Sequence, residues 1–223
     1  MIKRITLLVF FLRLFFSGFS QLAYRISADI LTKTRLPDST FQISKGKIHY
    51  DQNFEKIIFD FTFPDVEKIV LFDTLMYQFK DGNLINRSKN FLIPKQSYFQ
   101  FILSGNISNY GFDNLNFEAK KIEKKKGMII TTWEPPDYVK KYISKILVST
   151  KNKQLYSVTI IGKEEKIINR QILKKYHLIN GVDVPYEILV ATYLESGTMY
   201  QIITLNNVVL NEQGNDQLYD YEL

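Results

Sequence analysis

From Tyr24 onward the chain alternates between apolar and polar residues for long stretches. Tyr24, Ile26, Ala28 and Ile30 alternate with Arg25, Ser27 and Asp29. Successive side chains of a strand point to opposite faces, so this predicts a half-buried strand. Leu36-Pro37-Asp38-Ser39-Thr40 carries turn chemistry, because Pro presets φ and Asp and Ser bond back to nearby backbone. A second strand is predicted over residues 41–50, and Asp51-Gln52-Asn53 turns it back. The third is the clearest: Ile57, Phe59, Phe61 and Phe63 on one face, Lys56, Asp60 and Thr62 on the other, with Ile58 breaking the polar side. Pro64 ends it, since it has no N–H to give a ladder. Further strands are predicted over 67–72, with Leu75, Tyr77 and Phe79 alternating against Gln78 and Lys80, and weakly over 83–87 after the hairpin signal Asp81-Gly82. Consecutive hairpins of this kind make a meander.

One segment breaks the pattern. After Pro94, the pairs Tyr98/Ile102 and Phe99/Leu103 are spaced as on one helical face, and Gly105 follows. Pro near the start and Gly past the end predict a short, unusually apolar helix over 95–104. Strands resume over 114–122, 128–133, 142–149, 155–161, 167–176, 186–193 and 199–210, separated by turns such as Asn180-Gly181. The whole reads as about ten or eleven strands. The polar, acidic stretch 211–223 is expected to fray, and no linker divides residues 21–223 into more than one domain. The expected class is mainly β (α+β).

The 17 Phe, 14 Tyr and one Trp fit pleated, half-buried surfaces, which supports that class. There is no cysteine, so disulfides, thiol nucleophiles and Cys-based metal sites are excluded. At the N-terminus, Lys3 and Arg4 precede an apolar run over 5–12, resumed by Leu14, Phe15 and Phe16, and Gly18 and Ser20 flank Phe19. A basic start, a short apolar run interrupted by Arg13 and a small-x-small cleavage site predict a secretory signal peptide over 1–20. The run is shorter than the about 20 residues of a spanning helix. The mature chain would start at Gln21 in the periplasm. Removing Lys3, Arg4 and Arg13 lowers the formal charge from +6 to +3, which takes away the compositional case for nucleic-acid binding.

Candidate chemistry changes the picture little. His49 and His177 fall in different predicted strands, and no G-x-S-x-G elbow, Walker A loop or H-E-x-x-H helix occurs. No catalytic residue, metal site or cofactor is expected, and the protein is read as a non-enzyme. The run Lys120-Lys121-Ile122-Glu123-Lys124-Lys125-Lys126 reads as a solvated hairpin tip. The apolar faces say more. A sheet of this size must close, pair with another sheet or curl round a cavity, and one short helix cannot cover it flat. A curled sheet lined by Phe and Tyr suits acyl chains; a filled core without ligand is the alternative.

The order of several landmarks resembles periplasmic lipoprotein carriers of the LolA type and the wider LolA/LolB-like superfamily. They are Gly46-Lys47-Ile48-His49-Tyr50, Phe59 and Phe61 ahead of Pro64, and Val70-Leu71-Phe72-Asp73 with Leu75-Met76-Tyr77. Pro94 before the apolar 99–103 segment, Trp133-Glu134-Pro135-Pro136 and Asn180-Gly181-Val182-Asp183-Val184-Pro185 complete the set. The resemblance covers roughly residues 24–210. It implies a curved antiparallel sheet forming an incomplete β-barrel with a helical lid, lipid or lipoprotein acyl chains held between sheet and lid, an inner-membrane exporter as donor and an outer-membrane acceptor. On that reading Ile57, Phe59, Phe61, Phe63, Leu75, Tyr77 and Phe79 line the cavity, and Tyr98, Phe99, Ile102 and Leu103 form the lid. Two features depart from the family: a strand pattern starts at Tyr24 where an N-terminal lid helix is usual, and the position of a lid-bracing arginine falls near Ile58. A lipid-sensing or structural envelope module of the same fold is the alternative function.

Overall fold

The computed structural model describes residues 23–89, 97–103, 109–110, 112 and 115–220. The expected signal peptide lies outside them. The first meander is β1 (Arg25–Arg35), β2 (Phe41–Asp51), β3 (Lys56–Phe63), β4 (Glu67–Phe72), β5 (Leu75–Lys80) and β6 (Asn83–Lys89). A short helix, α1 (Tyr98–Leu103), precedes the second: β7 (Glu118–Lys125), β8 (Met128–Glu134), a single turn α2 (Asp137–Lys140), β9 (Lys145–Lys151), β10 (Gln154–Ile161), β11 (Ile167–Ile179), β12 (Val182–Leu194) and β13 (Gly197–Leu210). The strands are thirteen, more than the pattern suggested, because the weak 83–87 strand and every later hairpin take part.

All of them join one antiparallel sheet in the order β6-β5-β4-β3-β2-β1-β13-β12-β11-β10-β9-β8-β7. The first and last strands therefore meet at the centre, Ile26 opposite Leu210 and Ile30 opposite Leu205. The edges are β6 and β7, which are not paired to each other, so the barrel stays open. The sheet is strongly curved: one hydrophobic cluster takes in Ile26 and Ile30 of β1, Ile48 and Tyr50 of β2, Ile57 of β3, Trp133 of β8 and Ile188 of β12, together with α1. Bulges help the bending. At the break between Lys45 and Gly46, a Cβ on Gly46 would lie 2.1 Å from the Asp60 carbonyl oxygen, so only glycine lets β2 and β3 approach there.

The convex face is apolar at one end. Ile58 of β3, Val70 of β4 and Tyr77 of β5 form a second cluster, packed by Phe54, Phe72, Leu75 and Phe79. Its cover is the stretch after β13, expected to fray. Residues 211–220 instead fold down, and Tyr219 is fully buried in this cluster. The tail is held by charge. The Arg25 guanidinium donates to Asp51 Oδ2 at 2.6 Å, to the Glu212 carbonyl at 2.9 Å and to Asp216 Oδ1 at 2.8 Å, and lies over the Tyr219 ring. Lys56, read from the pattern as solvated, is buried and donates to the Tyr219 carbonyl at 2.6 Å.

Candidate functional site

The concave face is where the structure gathers most of the expected lining. Ile57, Phe59 and Phe61 face it from β3, and Tyr98, Phe99, Ile102 and Leu103 reach it from α1, all within one cluster. Phe59 and Phe61 stack with ring centroids 5.8 Å apart and are half-buried, while Phe99 and Leu103 are almost fully buried. Of the expected helix over 95–104, the described part is Tyr98–Leu103.

Four expected lining residues are elsewhere. Leu75, Tyr77 and Phe79 point to the convex cluster, because β5 pairs Tyr77 with Val70 and Leu75 with Phe72, and Val70 lies opposite Ile58, not Ile57. Alternation separates two faces of a strand without saying which is which, and the burying partner here is the tail. Phe63 lies past the β2–β3 bulge, exposed, with the Lys45 ammonium 5.8 Å from its ring centroid. The position matched to a lid-bracing arginine, Ile58, faces the tail rather than α1.

α1 is anchored on both sides. Tyr50 of β2 donates its hydroxyl to Gln100 Oε1 at 2.5 Å and stacks on Phe99. Opposite, Phe101 packs on Phe112, which packs on Trp133 of β8 with centroids 4.9 Å apart. Burial pushes the pKa of the Tyr50 and Tyr98 hydroxyls well above the usual phenol range and that of Tyr110 up to about 12. These tyrosines are neutral polar groups in an apolar setting, able to orient a ligand and unsuited to take up a proton.

Beside α1 the sheet is parted. β10 and β11 pair from Ile161 with Ile167 as far as Ser157 with Ile172 and no further. A bulge between Leu155 and Ser157 bends β10, and Lys175 of β11 takes a left-handed φ of 55°. The alternation that puts Leu173 on the concave side would send Tyr176 outward; the kink returns it to the concave cluster, where its hydroxyl donates to the Leu155 carbonyl across the gap. A cavity of about 290 Å³ lies in the parting, lined by Leu155, Tyr156, Leu173 and Tyr176 and rimmed by Lys151, Lys174 and Lys175. A second, of about 130 Å³, adjoins it beneath α1, lined by Phe101, Ile102, Leu155 and Tyr176. Both are below the roughly 300–1,000 Å³ of ordinary ligand pockets, so an acyl chain needs α1 or Tyr176 to shift.

The parting was not foreseen. Turn residues 151–153 are visible in the sequence, but a broken ladder between two otherwise regular strands has no periodicity of its own. His49 sits at the convex face with Nε2 3.9 Å from Asp60 Oδ2, and His177 packs on Tyr186 of β12. Among the described residues no three His, Asp or Glu side chains converge as a metal site would need, and no helix is long and apolar enough to cross a membrane.

An open sheet curled round an apolar helix, with a lysine-rimmed parting beside it, is the architecture of the LolA-like fold. Solved structures support this: a LolA superfamily protein from Nitrosomonas europaea is similar at a TM-score of 0.62 and 14% identity, covering 91% of this chain and 94% of that one. A putative outer membrane lipoprotein-sorting protein domain from Vibrio parahaemolyticus gives 0.61 at 11% identity over 88% and 89%. A DUF1329 family protein from Desulfovibrio piger gives 0.61 at 9% identity over 91% and 92%. No protein-family model and no curated protein matches the sequence.

Proposed function

We propose that the protein is an exported, periplasmic carrier that holds the acyl chains of a lipid or lipoprotein between the concave face and α1, and ferries them toward the outer membrane. Donor and acceptor would be an inner-membrane exporter and an outer-membrane receptor. The observation that carries this reading is α1 itself. Its side chains other than Gln100 are apolar, it packs on the sheet through rings and one polar pair, and it borders a parting that opens outward. Apolar burial contributes about 25 cal/mol per Å², so acyl chains that replace α1 against Phe59 and Phe61 recover most of what its displacement loses. The reading calls for no catalytic group. The fold shared with a lipoprotein-sorting domain supports it.

Amide exchange tests it. With a phospholipid or lipopeptide added, exchange in α1 should change while the central strands stay as they were. Ile102→Ser should weaken lipid retention several-fold and leave the melting temperature nearly unchanged. The filling of the concave face, with Phe99 and Leu103 buried, favours a second reading, a structural or sensing module without transported cargo. There, Ile102→Ser should cost about 2–5 kcal/mol, and α1 exchange should ignore lipid.

A further inference from the structure

The convex face carries a second surface that the carrier reading does not use. The tail covers its end near Arg25, His49 and Ile58; the other end of the central strands is bare. Register places two rows of outward side chains there. One runs Phe41 (β2), Arg35 (β1), Tyr200 (β13), Ala191 (β12), Arg170 (β11), and the next runs Ile43, Lys33, Ile202, Leu189, Ile172. Five strands at about 4.8 Å spacing make this patch roughly 20 Å across.

Its composition is unusual for a solvated face. Phe41 is 76% exposed, Ile43 44%, Tyr200 49% and Ile202 42%, a contiguous apolar strip. Lys33, Arg35 and Arg170 stand exposed within it, with Lys45 beside Ile43 on the same outward face. Neither row contains an acid, and none of the four cations forms an ion pair within the described residues. The nearest carboxylate in the following row, Glu187, is held by Lys175 at 2.7 Å. Elsewhere exposed lysines are paired, as Lys120 with Glu118 and Lys121 with Glu123 on β7. Positive charge left unpaired among exposed aromatic and aliphatic side chains matches the surface of an anionic bilayer. Headgroup phosphates complement the cations, and amphipathic rings settle at the headgroup level. Like charge disfavours a second copy of the chain at the same patch.

We propose that this patch is a docking surface for anionic phospholipid membranes, presenting the convex face to the bilayer while the parting between β10 and β11 stays at the patch's border. The proposal holds whether or not α1 covers cargo. The full chain should co-sediment with vesicles of phosphatidylglycerol and phosphatidylcholine, bind pure phosphatidylcholine vesicles at least tenfold more weakly, and be released by high salt. Lys33→Glu with Arg35→Glu, and separately Phe41→Ser with Tyr200→Ser, should each lower binding at least tenfold with unchanged melting temperature, since all four are exposed. Lys121→Glu with Lys124→Glu, equally basic but on β7, should leave it unaltered. Absence of binding by the wild-type chain, equal binding to neutral vesicles, or equal loss from the β7 variant would overturn the proposal. Cargo retention is a separate readout, so the carrier reading survives any of these results.

Discussion

Arg25 stands at an outward position of a strand and is nevertheless buried, which makes the convex face at this end part of the interior. Asp51 is its counterpart: Oδ2 receives the guanidinium while Oδ1 accepts the backbone N–H groups of Asn53 and Phe54 at 2.7 and 3.0 Å. Removing one partner strands the other charge out of water. Asp51→Ala should cost about 3–5 kcal/mol in denaturant unfolding. His49 lies under the same cover. Burial lowers its pKa from the ordinary 6.5, with Asp60 opposing more weakly. The unfolded chain then takes up a proton near 6.5 that the folded chain resists, so this contribution to stability is complete above that pH and shrinks as pH falls below it. Melting temperatures measured from about pH 7 to 5 should decline less steeply in His49→Gln than in the wild type. None of this was visible in the sequence. Alternation marks Arg25, Asp51 and Lys56 as outward, correctly, but an outward residue becomes buried only when a distant segment docks on it. The docking segment here is polar and acidic, the composition that reads as frayed.

At the level of elements, the strands and the apolar helix were legible because periods of two and of nearly four leave clear marks. Ile57, Phe59 and Phe61 were assigned to the concave face together, and they share it. Leu75, Tyr77 and Phe79 have an equally clean alternation and face the other way. The difference is set by the partner strand's register, which a single strand cannot encode. The parting between β10 and β11 is likewise a property of a pair. Its latch is the Tyr176 hydroxyl on the Leu155 carbonyl. Tyr176→Phe keeps the ring in the cluster and removes the latch, so a fluorescent acyl probe should enter faster. The expected loss of stability is about 1 kcal/mol, that of one hydrogen bond. An unchanged uptake rate would mean that ligand reaches the concave side by another route.

Across the whole molecule, an open sheet leaves two edges, β6 and β7, and every residue of β7 is exposed. Its Glu118, Lys120, Lys121, Glu123, Lys124 and Lys125 make edge-to-edge pairing with another chain unfavourable. Replacing Lys121 and Lys124 by Val should produce concentration-dependent aggregates, seen by light scattering, without loss of the native far-ultraviolet spectrum in the remaining monomer. The meeting of β1 with β13 at the centre of the sheet has a consequence in time. A chain is made from its N-terminus, and β1 to β6 can assemble hairpin by hairpin as they emerge, each pairing local in sequence. β1, however, waits with one side bare until the last strand arrives, and closing that seam requires contacts between opposite ends of the chain, the slow kind. Until then the half-made sheet offers its most apolar strand as an open edge. The interval between synthesis of β1 and of β13 is when this chain most needs an escort.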